Sequence, residues 1–184
     1  MVNSPPAEGP ASLGTPVPFA FDEVYREYSP SILGYLTAHG IDDPEGVTHD
    51  VFLALFPRIN SLRGGIEGVR TLLFSIAHAR YVDYQRRRTR TPDLVEYDPG
   101  SDARVSESAE DSAMRATESA DALRILSLLN EDQREVLLLR VVADLPLDRV
   151  AGIMNKSVGA IKQLQRRALL VLQEHPAVEL WRSR

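Results

Sequence analysis

Apolar positions recur at helical spacing through most of the chain and nowhere alternate over a useful length. The pattern predicts an all-α protein. Val24, Tyr25, Tyr28, Ile32, Tyr35 and Leu36 mark a first helix from about Phe21 to Gly40. Pro30 lies inside it, where it opens a second helical segment or kinks one long helix. Asp42, Asp43 and Pro44 have the character of a helix start, with acids on the positive dipole end. Val47, Val51, Ala54 and Leu55 form that helix's buried stripe, closed by Pro57. Residues 60–68 read as a glycine-rich loop. A long helix follows from about Val69 to Arg88, with Leu72, Leu73, Ile76, Ala77 and Tyr84 inward.

The pattern then lapses. From Thr91 to Asp121 there are nine acids, two bases and no apolar period until the end. Such a stretch is too long and too polar for a loop inside one domain and reads as a flexible acidic tether. Beyond it the helical period returns. Leu123, Leu126 and Leu129 make a short stripe, and Asn130 with Gln133 has capping-box spacing. Val136, Leu137 and Leu139 continue that helix, and Leu147, Val150, Ala151 and Met154 mark another. Ser157 caps a last helix running from Val158 to about Gln173. The expected organisation is a disordered leader (1–18, with five prolines), a helical domain (19–90), the acidic linker (91–120), a second helical domain (121–175) and a tail (176–184).

Charge sharpens this division. The net of −5 hides a nearly balanced 1–90, a strongly acidic 91–148 and a basic 149–184, with two acids against seven bases. The tether's acids are expected to repel free DNA and to shade the basic segments. With no cysteine there is no disulfide, thiolate metal site or thiol nucleophile, which suits a reducing cytoplasm. The four histidines are dispersed without metal-ligand spacing. No base precedes Arg26, unlike a secretory signal, and the run from Val136 to Leu147 is cut by Arg140 and Asp144, so no membrane span is expected. A Gly-rich phosphate loop, a metal cluster and a carboxylate pair in an evident cleft are all missing from the pattern, so neither an enzyme nor a cofactor is expected.

Two segments carry candidate chemistry. The last two helices, joined by Asn155-Lys156-Ser157, fit a helix-turn-helix. Ile161, Leu164, Ala168, Val171 and Leu172 suit the core, while Lys162, Gln163, Arg166 and Arg167 lie largely opposite. From Arg149 to Gln173 there are five bases and no acid. Those donors suit phosphates and major-groove base edges, although a basic outer face is also what an ordinary solvated helix shows. The second segment is the arginine end of the long helix, where Tyr81 and Tyr84 mingle with Arg80, Arg86, Arg87, Arg88 and Arg90. Aromatics among bases stack on unpaired bases while arginines hold the backbone. Phe52, Phe56, Phe74, Tyr81 and Tyr84 read equally as core, Phe52 and Phe74 above all.

In this order the residues resemble the extracytoplasmic-function (group IV) sigma factors of bacterial RNA polymerase, over about residues 19–90 and 120–175. The run from Leu73 to Arg88 looks like the family's region two helix, an apolar-aromatic-x-Ile-Ala start, then Asp, then arginines. Asp43 to Phe52 is similar to its Asp-x-Glu-Asp-x-x-Gln-Glu-x-Phe helix. Leu126 to Leu172 resembles region four, including Arg134-Glu135-Val136, Val150-Ala151 and Gly159-Ala160-Ile161-Lys162.

The resemblance implies two helical domains acting on one promoter: a region 2 bundle that melts the −10 element and a region 4 helix-turn-helix that reads the −35 element. Asp43, Glu45, His49, Asp50 and Phe52 would dock on the clamp of the largest subunit of core RNA polymerase. Arg63, Arg70, His78, Arg80, Tyr84, Arg86, Arg87 and Arg88 would hold the −10 strand, and residues 60–68 would help form a pocket for a flipped base. Lys156, Ser157, Gly159, Ala160, Lys162, Gln163, Arg166 and Arg167 would engage −35 DNA. The partners implied are the polymerase clamp and flap, promoter DNA and, as for many members, an anti-sigma factor. Leu72, His49 and Ala79 stand where the family usually has Trp, Gln and Asn, and Pro146 replaces its usual Ser or Thr cap. Leu164 and Gln165 occupy the place of its common Arg-Leu. Two rival readings fit the residues without the resemblance. One is a stand-alone helix-turn-helix regulator, and the other an adaptor that binds only proteins.

Overall fold

A computed structural model describes residues 20–62, 64–90 and 120–174. Among them every regular element is helical: α1 (Phe21–Ala38), α2 (Pro44–Leu55), a 3-10 turn (Phe56–Ser61), α3 (Gly65–Arg90), α4 (120–126), α5 (Glu131–Leu137), α6 (Leu147–Ile153) and α7 (Val158–Gln173). The leader, most of the acidic linker and the tail lie outside the described residues.

Pro30 does not divide α1. It sits on the exposed side, so its ring and the carbonyl freed one turn earlier at exposed Arg26 both face solvent. Val24, Tyr28, Ile32, Tyr35 and Leu36 face inward. Gly40, at φ +67°, reverses the chain. Asp43 then caps α2, its carboxylate accepting the Gly46 amide at 2.9 Å. A side chain on residue 46 would start 2.2 Å from that carboxylate, so the cap requires glycine there. The expected glycine-rich loop is shorter than its composition suggested. Gly64 and Gly65 take left-handed backbone (φ +100° and +64°), and α3 begins at Gly65, four residues before the apolar stripe does. Phe52 and Phe74 are core as expected, but Phe56 is 60% exposed, because the 3-10 turn it opens rotates it off the buried stripe.

In the C-terminal half, Asn130 and Gln133 form the expected capping box, with bonds of 2.9 and 3.1 Å. α5 runs on into one π turn over Leu138–Val142. Its wider pitch is closed by Ala143 N–H donating to Leu138 O and Leu145 N–H to Leu139 O, both at 3.1 Å. The Arg140 guanidinium also donates to the Leu145 carbonyl. Asp144 (φ +48°) turns the chain toward α6. Leu139, Leu145, Val150 and Ile161 form the centre of this half, and Leu129, Leu137 and Ala168 a smaller cluster beside it.

The two helical groups meet. One apolar core runs from Tyr35, Phe52, Phe74 and Leu73 into Val136, Leu139, Leu145 and Val150. The π turn packs on α1, and α6 packs on α3.

Candidate nucleic-acid and polymerase interfaces

The helix-turn-helix is built by three local devices. α6 ends at Met154, and Asn155 takes a left-handed conformation at φ +51°. Lys156 N–H returns to the Ala151 carbonyl at 3.0 Å, closing the turn. Ser157 then caps α7, its hydroxyl accepting the Ala160 amide at 3.2 Å. Pro146 starts α6 with no side-chain bond. Ile161 and Ala168 are buried, and Leu164, Val171 and Leu172 are half-buried, as the stripe predicted. Lys162, Gln163, Arg166 and Arg167 are all exposed, and none forms an ion pair among the described residues. Gly159 is exposed and Ala160 half-buried, while Lys156 is tied to Asp132 at 3.0 Å. Leu169 and Leu170, each 44% exposed, continue the Lys162–Arg166 face as a shallow open groove.

On α2, Glu45, His49 and Asp50 are exposed and Asp43 is the cap. Phe52 is not on that surface. It is 1% exposed and packs edge-on against Phe21, so it can only position the helix. Leu53, 57% exposed, and Phe56 share the outer face with His49 by i, i+4, i+7 spacing. Sequence reading missed both. Large apolar residues off the buried stripe were the available signal.

The expected strand-holding residues divide into two sets, and Arg63 lies outside the described residues. Arg80, Arg86, Arg87 and Arg88 are exposed, and the Arg88 guanidinium lies 6.0 Å from the centre of the Tyr84 ring. Arg86 has a loose contact with Asp83 at 3.8 Å. Tyr84 donates to Asp42 at 2.7 Å. Partial burial, then that carboxylate, raise its phenol above the ordinary value against the opposing pull of Arg88. Arg70 and His78, by contrast, are engaged by the C-terminal half. Arg70 Nη1 donates to the carboxylate of Asp144 at 3.0 Å and to its carbonyl at 3.3 Å. His78 Nδ1 lies 2.8 Å from Glu135 Oε1.

Glu135 is the centre of this contact and the residue that sequence reading did not single out. It is 2% exposed. Tyr35 donates to Oε1 at 2.8 Å, and His39 Nε2 lies 2.7 Å from Oε2 without the alignment of a hydrogen bond. The His39 ring in turn stacks on Tyr81, centroids 3.8 Å apart. Burial by itself would raise the Glu135 carboxyl, but the two histidines outweigh it and hold the group down at about 2. The same burial and the adjacent carboxylate push the Tyr35 hydroxyl well above its usual range. Tyr81 donates to Glu131 at 2.6 Å, and its phenol is raised, first by desolvation. No group of three or more metal-ligating side chains is present, and no helix is long and apolar enough to cross a membrane, among the described residues.

Comparison with known proteins agrees with this geometry. Residues 125–174 match the sigma-70 region 4 family, covering α5 to α7 and the caps between them. The chain is 24% identical over 159 residues to the RNA polymerase sigma factor YlaC of Bacillus subtilis, spanning 85% of this chain and 91% of that one. It is 28% identical over 155 residues to the ECF sigma factor BldN of Streptomyces coelicolor, spanning 83% of this chain and 59% of BldN. Two solved structures share the fold at 20% identity. They are CnrH bound to the cytosolic domain of CnrY (TM-score 0.58, 83% and 84% of the two chains) and the sigma factor RpoE bound to the anti-sigma factor NepR from Bartonella quintana (0.62, 84% and 94%). The chain thus carries a sigma-70 region 4 match at its C-terminal end and is similar along most of its length to RNA polymerase sigma factors, two of them extracytoplasmic-function members.

Proposed function

We propose that this chain binds core RNA polymerase and directs it to promoters, working in the cytoplasm where the polymerase and its template are. The observation that carries the reading is the pairing, in one chain, of a capped and unpaired basic helix on a helix-turn-helix with a long helix ending in exposed arginines beside Tyr84. The first suits intact duplex, whose phosphates and major-groove edges take Lys, Arg and Gln. The second suits a separated strand, held by arginines with an aromatic ring for stacking. Residues 19–90 and 121–175 are taken as the two working domains, with 91–120 as their tether. The outer face of α2, with Glu45, His49, Asp50 and the exposed apolar pair Leu53 and Phe56, is assigned to the polymerase clamp.

Duplex opening costs a few kcal/mol for each unstacked step. A chain of net charge −5 with two modest basic faces gains too little from DNA alone to offset that over several base pairs. The large partner therefore supplies the electrostatic grip and the chemistry of RNA synthesis, while this chain supplies placement. RpoE is solved with the anti-sigma factor NepR bound and CnrH with the cytosolic domain of CnrY, and a holding protein of the NepR kind is proposed here too.

Transcription in vitro with purified core polymerase, with start sites read genome-wide, tests the reading. Promoter-directed RNA should appear only when the chain is added. Lys162→Ala and Arg166→Ala should each lower it while leaving polymerase binding intact. His49→Ala or Asp50→Ala should weaken the polymerase complex first. Specific duplex binding with no polymerase association would instead support a stand-alone regulator, and the absence of any salt-dependent DNA affinity would support a protein-only adaptor.

A further inference from the structure

α7 carries two apolar side chains that its own packing does not use. Leu169 and Leu170 lie off the stripe of Ile161, Leu164, Ala168, Val171 and Leu172, and each is 44% exposed. They line the shallow groove that has Lys162 and Arg166 toward one end and Gln173 at the other. Single exposed leucines are ordinary. This pair is set apart by its frame: the two residues are adjacent, they continue a face assigned to duplex, and the groove opens where α7 ends. Leucine gives a phosphate no donor, so contact with a nucleic-acid backbone does not account for them.

The sequence that follows α7 matches this groove in reach, apolarity and charge. Residues 175–184 lie outside the described residues. Pro176 stands two residues past the Glu174 cap, where a proline cannot continue the helix. From Gln173 back to Lys162 the helix covers about 16 Å at about 1.5 Å per residue. From Pro176 to Trp181 an extended chain spans up to about 17 Å at about 3.4 Å per residue. A chain that doubles back can therefore set Trp181 anywhere along the groove. Val178, Leu180 and Trp181 supply apolar surface, and Trp181 is the chain's one tryptophan and its only aromatic residue after Tyr97. Glu179 is the only acid in 175–184, and the charged residues lining the groove are both cations, Lys162 and Arg166.

We propose that residues 176–181 dock back along the outer face of α7, with Leu180 and Trp181 on Leu169 and Leu170 and Glu179 toward Lys162 and Arg166. Arg182 and Arg184 fall beyond the seated stretch. Docked, the segment covers two of the cations assigned to duplex and competes with phosphates for them. Released, it leaves that face open. The chain thus carries its own competitor for the groove, which sets how readily α7 takes hold of duplex. The competition rests on the proposed duplex-reading role of α7, whereas the docking does not.

A single tryptophan makes the docking directly readable on the full chain. Trp181 emission should lie to the blue of a solvated indole and be shielded from acrylamide, at a concentration where light scattering reports a monomer. Leu169→Gln combined with Leu170→Gln changes only exposed positions and keeps good helix formers there. It should move the emission to the red and raise quenching, with circular dichroism unchanged. Emission that is already that of a solvated indole, or blue emission that the double variant does not move, overturns the docking and leaves the function reading standing. Blue emission that is lost on dilution as the mass halves puts a second copy in the groove and overturns it equally. For the competition, affinity is measured for a mixed-sequence duplex at low salt, where phosphate contacts dominate. Trp181→Ala keeps every charge and should raise that affinity about threefold if the groove is open in about a third of the molecules, whereas Lys162→Ala should lower it. No gain in Trp181→Ala, with Lys162→Ala still weakening, overturns the competition alone. No loss in Lys162→Ala overturns the assignment of α7 to duplex, and the competition with it.

Discussion

α3 and α7 are both long, both basic on their outer faces, and both rest on an apolar stripe, yet they differ in what their charges touch. On α7, Lys162, Arg166 and Arg167 project into solvent with no ion-pair partner among the described residues. On α3, Arg70, His78 and Tyr81 are met by Asp144, Glu135 and Glu131, while Arg80 and the arginine end beyond it are open. A basic helix is thus not by itself an available one. The difference comes from packing, since α5 lies against α7 through its apolar face and presents its carboxylates to α1 and α3.

The largest way to break this contrast is Glu135→Ala. It leaves His39, His78 and Tyr35 without their carboxylate, and removing one member of a buried charge pair costs about 3–5 kcal/mol. Urea unfolding followed by circular dichroism should change from one transition to two, because the halves lose their link while each keeps its own apolar centre. A single transition at an unchanged midpoint would mean that the halves do not depend on Glu135.

Acid should loosen the same contact with a defined sign. The Glu135 carboxyl is held below its ordinary 4.5, at about 2. Its ionised form therefore stabilises the joined halves fully above about pH 4.5, and that contribution is lost as pH falls toward 2. The other titratable groups facing it are Tyr35 from α1, His39 at its C-terminal cap, His78 and Tyr81 from α3, and Glu131 on its own helix. Energy transfer between dyes on cysteines placed at exposed Thr37 and Val141, one on each half of this cysteine-free chain, should fall over that acid window, and the fall should be smaller in Glu135→Gln. An equal fall in both would assign the acid response to another group.

Much of the fold was legible because it is governed locally. Asp43 with Pro44, Asn130 with Gln133, and Ser157 each announce a helix start by chemistry that acts within three residues; Asn130 and Ser157 cap as expected, and Asp43, expected only as a helix-start acid, caps as well. The α7 stripe was equally plain, since its period comes from burial on one face. The contact at Glu135 was not legible, because its partners lie 57, 96 and 100 residues away and no period links them. One signal was present. Glu135 shares a stripe with Leu138, Leu139 and Val142, and a lone acid among apolar residues on one face requires a partner from elsewhere. His78 and Arg70 were assigned to nucleic acid on their residue type and position, which say nothing about whether another part of the chain already holds them. Phe56 was misplaced for a different reason, as the 3-10 turn after α2 breaks the period that would have buried it.

The smallest expected effect sharpens the comparison from the α7 side. Ser157 accepts the Ala160 amide at 3.2 Å and is exposed, so Ser157→Ala removes one cap without opening a cavity. Losing such a cap costs about 1 kcal/mol. It should fall on the first turn of α7, where Gly159 and Ala160 approach the duplex in the proposed reading. Thermal unfolding should show a fall of a few degrees, and duplex promoter affinity should drop by up to about fivefold, the ratio that corresponds to about 1 kcal/mol. Energy transfer between the halves and affinity for a single-stranded −10-like oligonucleotide should not change, because Ser157 touches neither α3 nor the carboxylates that meet it. If duplex affinity holds while strand affinity moves, the division of labour between the two helices is the wrong way round.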